Sequence, residues 1–470
     1  MSEPVFAVVG HPNKGKSSLV ATLARDATVA VSPEPGTTRR ARRFPMRIDG
    51  QVLYTLTDTP GFQRARAALA WMKQHESNAA SRPAVVARFV EQHAGEERFH
   101  DECELLRPIL EGAGIIYVVD GASPYGPEYE AEMEILRWSG RPSMAIINPI
   151  GQPRFVEPWE NALGQFFRVV RVIDVLKAPF SAQLELLRAF GHLAEAWREP
   201  LDRAATALLA HRRRQRENAA RIIAELIAAT LACYETRDLG PEADPQAYAA
   251  ALEKTYRGSL RQLEGRARRA VEALYGYENL DRTEVDMELL ETDLLSEESW
   301  LAFGLRQRDL VAVGAAGGAV AGGAFDVAVL GASFFAGTVI GGLAGGALGY
   351  FSSQKLAETK VLHQPLGGKR LRCGPTKNVQ FPFVLLGRAR LHHALVAART
   401  HAQRTGLVVD NSAASSTISD TDKRRLAGIF GQLRRYELGS ERYVAAVNEL
   451  SSQIAHLLEA DESLSGSSGG

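Results

Sequence analysis

The residues Gly10-His11-Pro12-Asn13-Lys14-Gly15-Lys16-Ser17 constrain this chain more than any other stretch. They fit G-x-x-x-x-G-K-[ST] and stand directly behind the apolar run Val5-Phe6-Ala7-Val8-Val9. A strand running into such a loop and then into a helix, here 18–25, builds a cradle for phosphate. The glycines Gly10 and Gly15 let backbone N–H groups turn toward the phosphate oxygens, Lys16 brings a compact cation to them, and Ser17 offers a hydroxyl to Mg²⁺. Lys14 and Ser18 flank these groups and join the same nucleotide-binding set. The sequence therefore predicts a nucleoside phosphate site on a mostly parallel, Rossmann-like α/β sheet.

Two further segments belong with the loop. The stretch Ser32-Pro33-Glu34-Pro35-Gly36-Thr37-Thr38 is punctuated by Pro and Gly and ends in two threonines. It reads as a switch segment in which Thr38 places its hydroxyl on Mg²⁺ and its N–H on a γ-phosphate. Residues 44–49 and 51–57 then alternate as two strands around Asp49-Gly50, delivering the chain to Asp58-Thr59-Pro60-Gly61. An aspartate at a strand end can hold the Mg²⁺ shell, and the Gly61 N–H can report a γ-phosphate.

Gly10–Ser17, 35–38 and 58–61 together resemble the first three motifs of the translation-factor-like small GTPases, nearest the Era/TrmE branch. The resemblance covers residues 5–62. It implies that Lys16, Thr38 and Gly61 serve catalysis, that Ser17, Thr38 and Asp58 serve Mg²⁺, and that GTP is the nucleotide. Asn13 matches the asparagine that, in potassium-activated members of the branch, helps hold a monovalent cation, so K⁺ is a candidate second ion. Phe62 stands where Ras-like enzymes carry the glutamine that orients water. An apolar side chain cannot do this, and slow turnover is expected unless a cation or partner completes the site.

The resemblance weakens at the base. A guanine-specific member shows N-K-x-D, whereas this chain reads Asn148-Pro149-Ile150-Gly151. Asn148 is in place and the lysine and aspartate are missing, so phosphate binding stands on firmer ground than base choice. Asp174, near the expected fifth motif, either contacts the base or caps the next helix.

The remainder is helical in pattern. Residues 63–110 form a charge-rich helical insertion, read as a solvated elaboration or an effector arm. Long amphipathic helices follow over 181–308, among them the basic run His211-Arg212-Arg213-Arg214-Gln215-Arg216, which suits either anionic lipid or RNA, or an exposed helix face. Between Asp309 and Lys355 the one charged residue is Asp326, and glycines recur at 314, 318 and 322, then at 337, 341, 345 and 349. Four-residue glycine spacing makes a smooth helix stripe of the kind favoured in lipid. The arms 310–325 and 327–351 predict a glycine-zipper hairpin that seeks a membrane, and the alternative is a glycine-packed pair inside a soluble core. His392, His393 and His401 are read as surface histidines, not ligands. A C-terminal helical region over 356–460 and a flexible tail over 461–470 complete the expectation.

Composition removes several classes. Lys+Arg and Asp+Glu both number 55, so no global positive field exists to hold nucleic acid, and nucleic acid is an unlikely partner. Three well-separated cysteines argue against a disulfide framework or zinc site and favour a reducing, cytoplasmic setting. The layout resembles a bacterial family of uncharacterised GTPases that joins an Era-like domain to a long helical half. The resulting expectation is a nucleotide-binding domain over 1–180 and a GTP-hydrolysing switch, slow and stimulated by a partner or K⁺. It would sit peripherally or integrally at the inner membrane, with lipids or a membrane protein as partner and a homo-oligomer forming through the helical domain. The rivals are a nucleotide-gated membrane or scaffold protein with little hydrolysis, and an RNA or ribosome-assembly GTPase relying on the basic run at 39–43.

Overall fold

The computed structural model describes residues 3–25, 38–240, 243–277, 348–352, 360–361, 364–365, 369–399 and 418–467. The chain divides into two compact units, the first reaching Arg212 and the second starting at Arg213.

In the first unit six strands form one sheet: β1 (Val5–Val9), β2 (Arg42–Ile48), β3 (Gln51–Asp58), β4 (Gly114–Asp120), β5 (Ser143–Asn148) and β6 (Val170–Val172). Their order is β2-β3-β1-β4-β5-β6, and every neighbouring pair is parallel except the β2–β3 hairpin. The hairpin turns through Asp49 and Gly50, at φ 50° and 80°, the two left-handed conformations that match strand twist in a tight turn. β4 is buried along its whole length, as expected of a central strand covered on both faces.

Alternation sorts the sheet residues between two layers. Phe6, Val8, Ile116 and Val118 face α1 (Lys16–Ala24), α7 (Phe180–Gly191) and the first part of α8 (Glu195–Ala232), meeting Leu19, Leu187, Phe190, Leu201 and Leu208. Ala7, Ile115, Tyr117 and Val119 face the other layer: α2 (Ala65–His75), α3 (Arg82–His93), α4 (His100–Leu110), α5 (Glu128–Trp138) and α6 (Val156–Leu163). The sequence reading ends the nucleotide-binding domain near 180. The compact unit runs to Arg212 because Leu201, Ala204, Ala205 and Leu208 bury themselves in its core. The 63–110 insertion is three helices, and it is no detached arm: Leu105, Leu106 and Ile109 of α4 are fully buried against the sheet layer.

The second unit is helical with a small sheet that its sequence did not announce. α9 (Pro245–Leu274) starts on the Asp244 cap, whose carboxylate accepts from Gln246 N–H. α10 (Phe381–Ala398), α11 (Asp420–Arg435) and α12 (Glu441–Ser467) follow. Ile223, Ile227, Tyr256, Leu260, Phe383, Leu386, Phe430 and Leu450 share its core. β7 (Glu235–Leu239) and β8 (Leu348–Ser352) pair antiparallel with the central β11 (Lys369–Cys373), and β9 (Lys360–Val361) pairs with β10 (Gln364–Pro365).

Several expectations change here. The expected glycine-zipper hairpin lies almost wholly outside the described residues. Its end, 348–351, belongs to strand β8, so that part is not the close of a second helical arm. No helix among the described residues is long and apolar enough to cross a membrane. His392 and His393 are 2% and 0% exposed, the reverse of surface histidines. His392 Nε2 lies 3.1 Å from Glu272 Oε1 and His393 Nε2 lies 2.8 Å from the Tyr275 hydroxyl, so each ring that α10 turns inward meets a polar partner through Nε2. No group of three or more metal-ligating side chains gathers among the described residues. The basic run is not a free patch either. Arg216 pairs with Glu459 and Glu462, Arg213 pairs with Glu217, and Arg212 is buried. The tail expected from 461 continues as helix α12 through Ser467.

Candidate active site

The site forms where β1 and β3 end side by side. β1 releases the chain into the phosphate loop and β3 releases it into Asp58–Gly61. Thr59 ties the two together by donating from Oγ1 to the Val8 carbonyl at 2.7 Å, and Phe62 N–H donates to the Gly10 carbonyl at 3.3 Å. The approach is close enough that a Cβ on Gly61 would lie 2.6 Å from the Pro12 backbone nitrogen, which leaves glycine as the residue that fits. Gly15 sits at φ 90° and ends the loop at the start of α1, so the first N–H groups of that helix face the cradle. Asn13 takes φ 60°, a left-handed turn that asparagine tolerates better than most residues.

Three side chains converge behind the loop. Ser17 Oγ donates to Asp58 Oδ2 at 2.8 Å and Thr38 Oγ1 donates to the same oxygen at 3.0 Å. Asp58 is 4% exposed, and its other oxygen, Oδ1, is buried without a hydrogen-bond partner. Burial raises its pKa, opposed by the Ser17 bond, the Lys16 charge and the Thr38 bond. Two hydroxyls and a carboxylate with one oxygen unsatisfied form a hard, all-oxygen donor set, which fits Mg²⁺. Lys16 is 7% exposed and donates from Nζ to the His11 carbonyl at 3.0 Å. Burial lowers its pKa to about 8, against the attraction of Asp58 and Glu132. A buried cation with one neutral acceptor is poised to take an anion.

These groups border a cavity of about 520 Å³ lined by Asn13, Gly15, Lys16, Ser17, Ser18, Thr38 and Gly61 together with Arg39, Gln63, Arg64 and residues 97–102 excluding 99. Lys14, Asn148 and Asp174 are not among the residues lining it. Asn148 Nδ2 donates to the Lys14 carbonyl at 3.3 Å, and its Oδ1 accepts from Val175 N–H at 3.1 Å, so this one side chain braces two loops. Lys14 reaches Asp120 and Ser123 at 3.3 and 3.0 Å. Asp174 accepts from Leu176 N–H at 3.1 Å, which is a local turn-capping role. Phe62 is 1% exposed in the core.

Two contributors escaped the sequence reading. Glu132 of α5 is 2% exposed beneath the loop, with its oxygens 2.8 Å from His11 Nδ1 and 2.9 Å from the Tyr117 hydroxyl. Burial raises its pKa above the usual carboxylate range. Glu102 of α4 is 1% exposed and accepts from the Gln63 and Arg64 N–H groups at 2.9 and 2.5 Å. Neither sits in a local motif. The sole sequence sign is a carboxylate amid the apolar positions of an amphipathic helix.

Residues 5–148 match the family described as 50S ribosome-binding GTPase, and residues 160–456 match the family described as Domain of unknown function (DUF3482). Similar proteins include GTPase Der of Paraburkholderia phymatum, 27% identical over 146 residues, covering 31% of this chain and 27% of the relative. GTPase Der of Desulforudis audaxviator is 29% identical over 183 residues, covering 36% and 42%, and that of Mycoplasma pneumoniae is 51% identical over 59 residues, covering 13% of each. The chain thus spans less than half the length of these curated relatives. Among solved structures, an Era variant from Aquifex aeolicus bound to GDP and AlF4⁻ aligns at TM-score 0.28 and 18% identity, over 59% of this chain and 90% of that one. With a P-loop GTPase domain at its N-terminus and the longer match covering 160–456, this chain belongs to the DUF3482 family.

Proposed function

We propose that the chain binds Mg²⁺–GTP and hydrolyses it slowly, as a molecular switch. The observation that carries the reading is the convergence of Ser17 and Thr38 on Asp58, whose second oxygen is left without a partner, beside the buried cation of Lys16. Ser17, Thr38 and Asp58 would hold the metal shell, directly or through water. When bound, Mg²⁺ neutralises charge spread over the β and γ oxygens. Lys16 and the loop N–H groups stabilise the charge that develops on the transferring phosphoryl group, and Gly61 presents its N–H to the γ side. Water is the nucleophile. Phe62, sealed in the core, leaves that water without a side-chain partner at the usual position, which supports slow intrinsic turnover. Asn13 is the candidate K⁺ ligand. Asn148 fixes the loops around the base, and with glycine at 151 the aspartate that would select guanine is missing.

The test is phosphate release from GTP, ATP and XTP with Mg²⁺ or EDTA, alongside the dissociation constants of GDP and GTP. Mg²⁺-dependent release with GTP preferred supports the reading. Absence of both binding and release overturns it, and binding without release leaves the nucleotide-gated scaffold in its place.

The apolar, glycine-spaced composition of 310–351 supports a switch that works at the cytoplasmic face of a membrane, with lipid or a membrane protein as partner and self-association through the helical region. Flotation with liposomes in GDP and in a non-hydrolysable GTP analogue tests this. Protein that stays at the bottom in both states removes the membrane role. The exposed side chains of Arg40, Arg42 and Arg43 favour the RNA-assembly reading as second choice, which salt-sensitive RNA retention would support.

A further inference from the structure

Three residues of α4 divide their contacts between the two segments that border the phosphate cavity. His100 Nε2 lies 3.1 Å from the Arg39 carbonyl oxygen, and Ala41 N–H donates to Glu104 Oε2 at 3.2 Å. Both bonds fall just beyond Thr38. Residues i and i+4 share a helix face, so His100 and Glu104 reach this segment together. Glu102, two positions on and nearly opposite round the helix, points to the other segment. Its Oε1 accepts from Gln63 N–H at 2.9 Å and Arg64 N–H at 2.5 Å, directly after Gly61 and Phe62. The start of α4 is thereby wedged between the two stretches of backbone that must be aligned for Thr38 and Gly61 to meet one phosphate. Glu102, His100 and Asp101 also line the cavity itself.

We propose that Glu102 is a positioning residue for hydrolysis, and that α4 acts as a strut holding the 38–41 and 61–64 segments in register. The inference rests on the GTPase reading above. Its physical basis is that a buried carboxylate accepting two backbone N–H groups makes charge-assisted bonds, stronger than neutral ones and specific in direction. They fix the Gly61–Arg64 backbone from behind, where Phe62 has no polar group with which to do so. Glu102 contacts none of Ser17, Thr38, Asp58 and Asn148 by hydrogen bond and holds only the backbone after Gly61, so its contribution is expected at the γ-phosphate step and GDP binding is expected to hold.

The experiment compares wild type, Glu102→Gln and Glu102→Ala by single-turnover GTP hydrolysis, GDP affinity, and amide hydrogen exchange at residues 61–66 with GDP and with a non-hydrolysable GTP analogue. The amide variant keeps an acceptor oxygen and the volume, which guards against simple unfolding. Losing two charged hydrogen bonds should lower kcat on the order of tenfold or more in the alanine variant and less in the glutamine variant, with GDP affinity and KM within about twofold of wild type. Protection of the Gln63 and Arg64 amides should fall in the same order. A merely structural role would lower GDP affinity and melting temperature together with kcat. Unchanged kcat in both variants, or unchanged protection at 63 and 64, overturns the proposal. If wild type itself shows no turnover, the GTPase reading fails, and the exchange measurement still decides whether Glu102 holds the segment.

Discussion

Replacing Lys16 by methionine should make the nucleotide-free protein more stable while nearly abolishing nucleotide binding. The side chain is 7% exposed, and burial lowers its pKa from the ordinary 10.5 to about 8. Charging it at neutral pH therefore costs on the order of 3 kcal/mol in the folded state. Because the folded pKa is depressed, the folded state binds fewer protons than the unfolded state between about 8 and 10.5. The stability is present above the unfolded value and is lost as pH falls through the folded one. Methionine removes the charge at nearly constant volume and leaves the His11 carbonyl without its donor, a loss of about 1 kcal/mol. The net gain of roughly 2 kcal/mol should raise the melting temperature of a unit this size by about 4–8 °C, read by calorimetry without nucleotide. The same cation is what phosphate attracts, so wild-type affinity for GDP should fall about tenfold per pH unit above 8, while the methionine variant binds at least 100-fold more weakly below pH 8, a gap that narrows as the pH rises past it. A variant that melts below wild type, or that keeps wild-type GDP affinity, would refute the argument that a strained buried cation drives phosphate capture.

Three other outcomes are expected. Phe62→Ala should destabilise the first unit by about 3–5 kcal/mol in urea unfolding, because a fully buried ring is removed, and should not speed hydrolysis. If Asn13 holds a monovalent ion, exchanging Na⁺ for K⁺ should raise turnover in wild type and not in Asn13→Ala; equal rates in both salts remove the ion. Burial holds the His392 imidazole below its ordinary 6.5, so the unfolded chain takes up protons first as pH drops. Stability should then decline from about pH 6.5 downward by at most ~1.4 kcal/mol per pH unit, and His392→Gln should flatten that slope in urea titrations at pH 7.5 and 5.5.

The phosphate site was legible because its chemistry is contiguous. Gly10–Ser17 joins strand β1 to helix α1 through one loop, and Asp58-Thr59-Pro60-Gly61 closes one strand, so local sequence already specifies that these segments meet at the ends of β1 and β3. The β2–β3 hairpin was legible for the same reason, since Asp49-Gly50 names its own turn. Glu132 and Glu102 were not. Glu132 meets His11 across 121 positions and Glu102 meets Gln63 across 39, and the one local sign, a carboxylate among apolar helix positions, names neither partner.

The second unit misled for a physical reason that its own residues display. α10 is buried nearly all round, so its apolar positions show no stripe, and Arg388, Arg390, His392 and His393, interleaved among them, look like solvated side chains. They are instead buried against acidic and phenolic partners. Arg388 donates to Glu264 at 2.8 Å, Arg390 to Asp461 at 2.7 Å, His392 lies against Glu272, and His393 against Tyr275. Those partners come from α9, α12 and the turn after α9, so each pair becomes visible only when the helices are assembled. β7 hid in the opposite way. Glu235-Thr236-Arg237-Asp238-Leu239 is mostly exposed, with its final leucine buried, and its pairing partner is the distant Lys369–Cys373, with Leu239 opposite Lys369 and Glu235 opposite Cys373. Removing one member of a buried charge pair is far more damaging than removing both. Glu264 also accepts from Arg268 at 2.6 Å, so Arg388→Met should destabilise the second unit more than replacing the whole triad by Arg388→Met, Arg268→Met and Glu264→Gln, a difference that urea unfolding can read directly. Equal destabilisation would mean that the pair is spectator to a core already fixed by Phe383, Leu386 and Phe430.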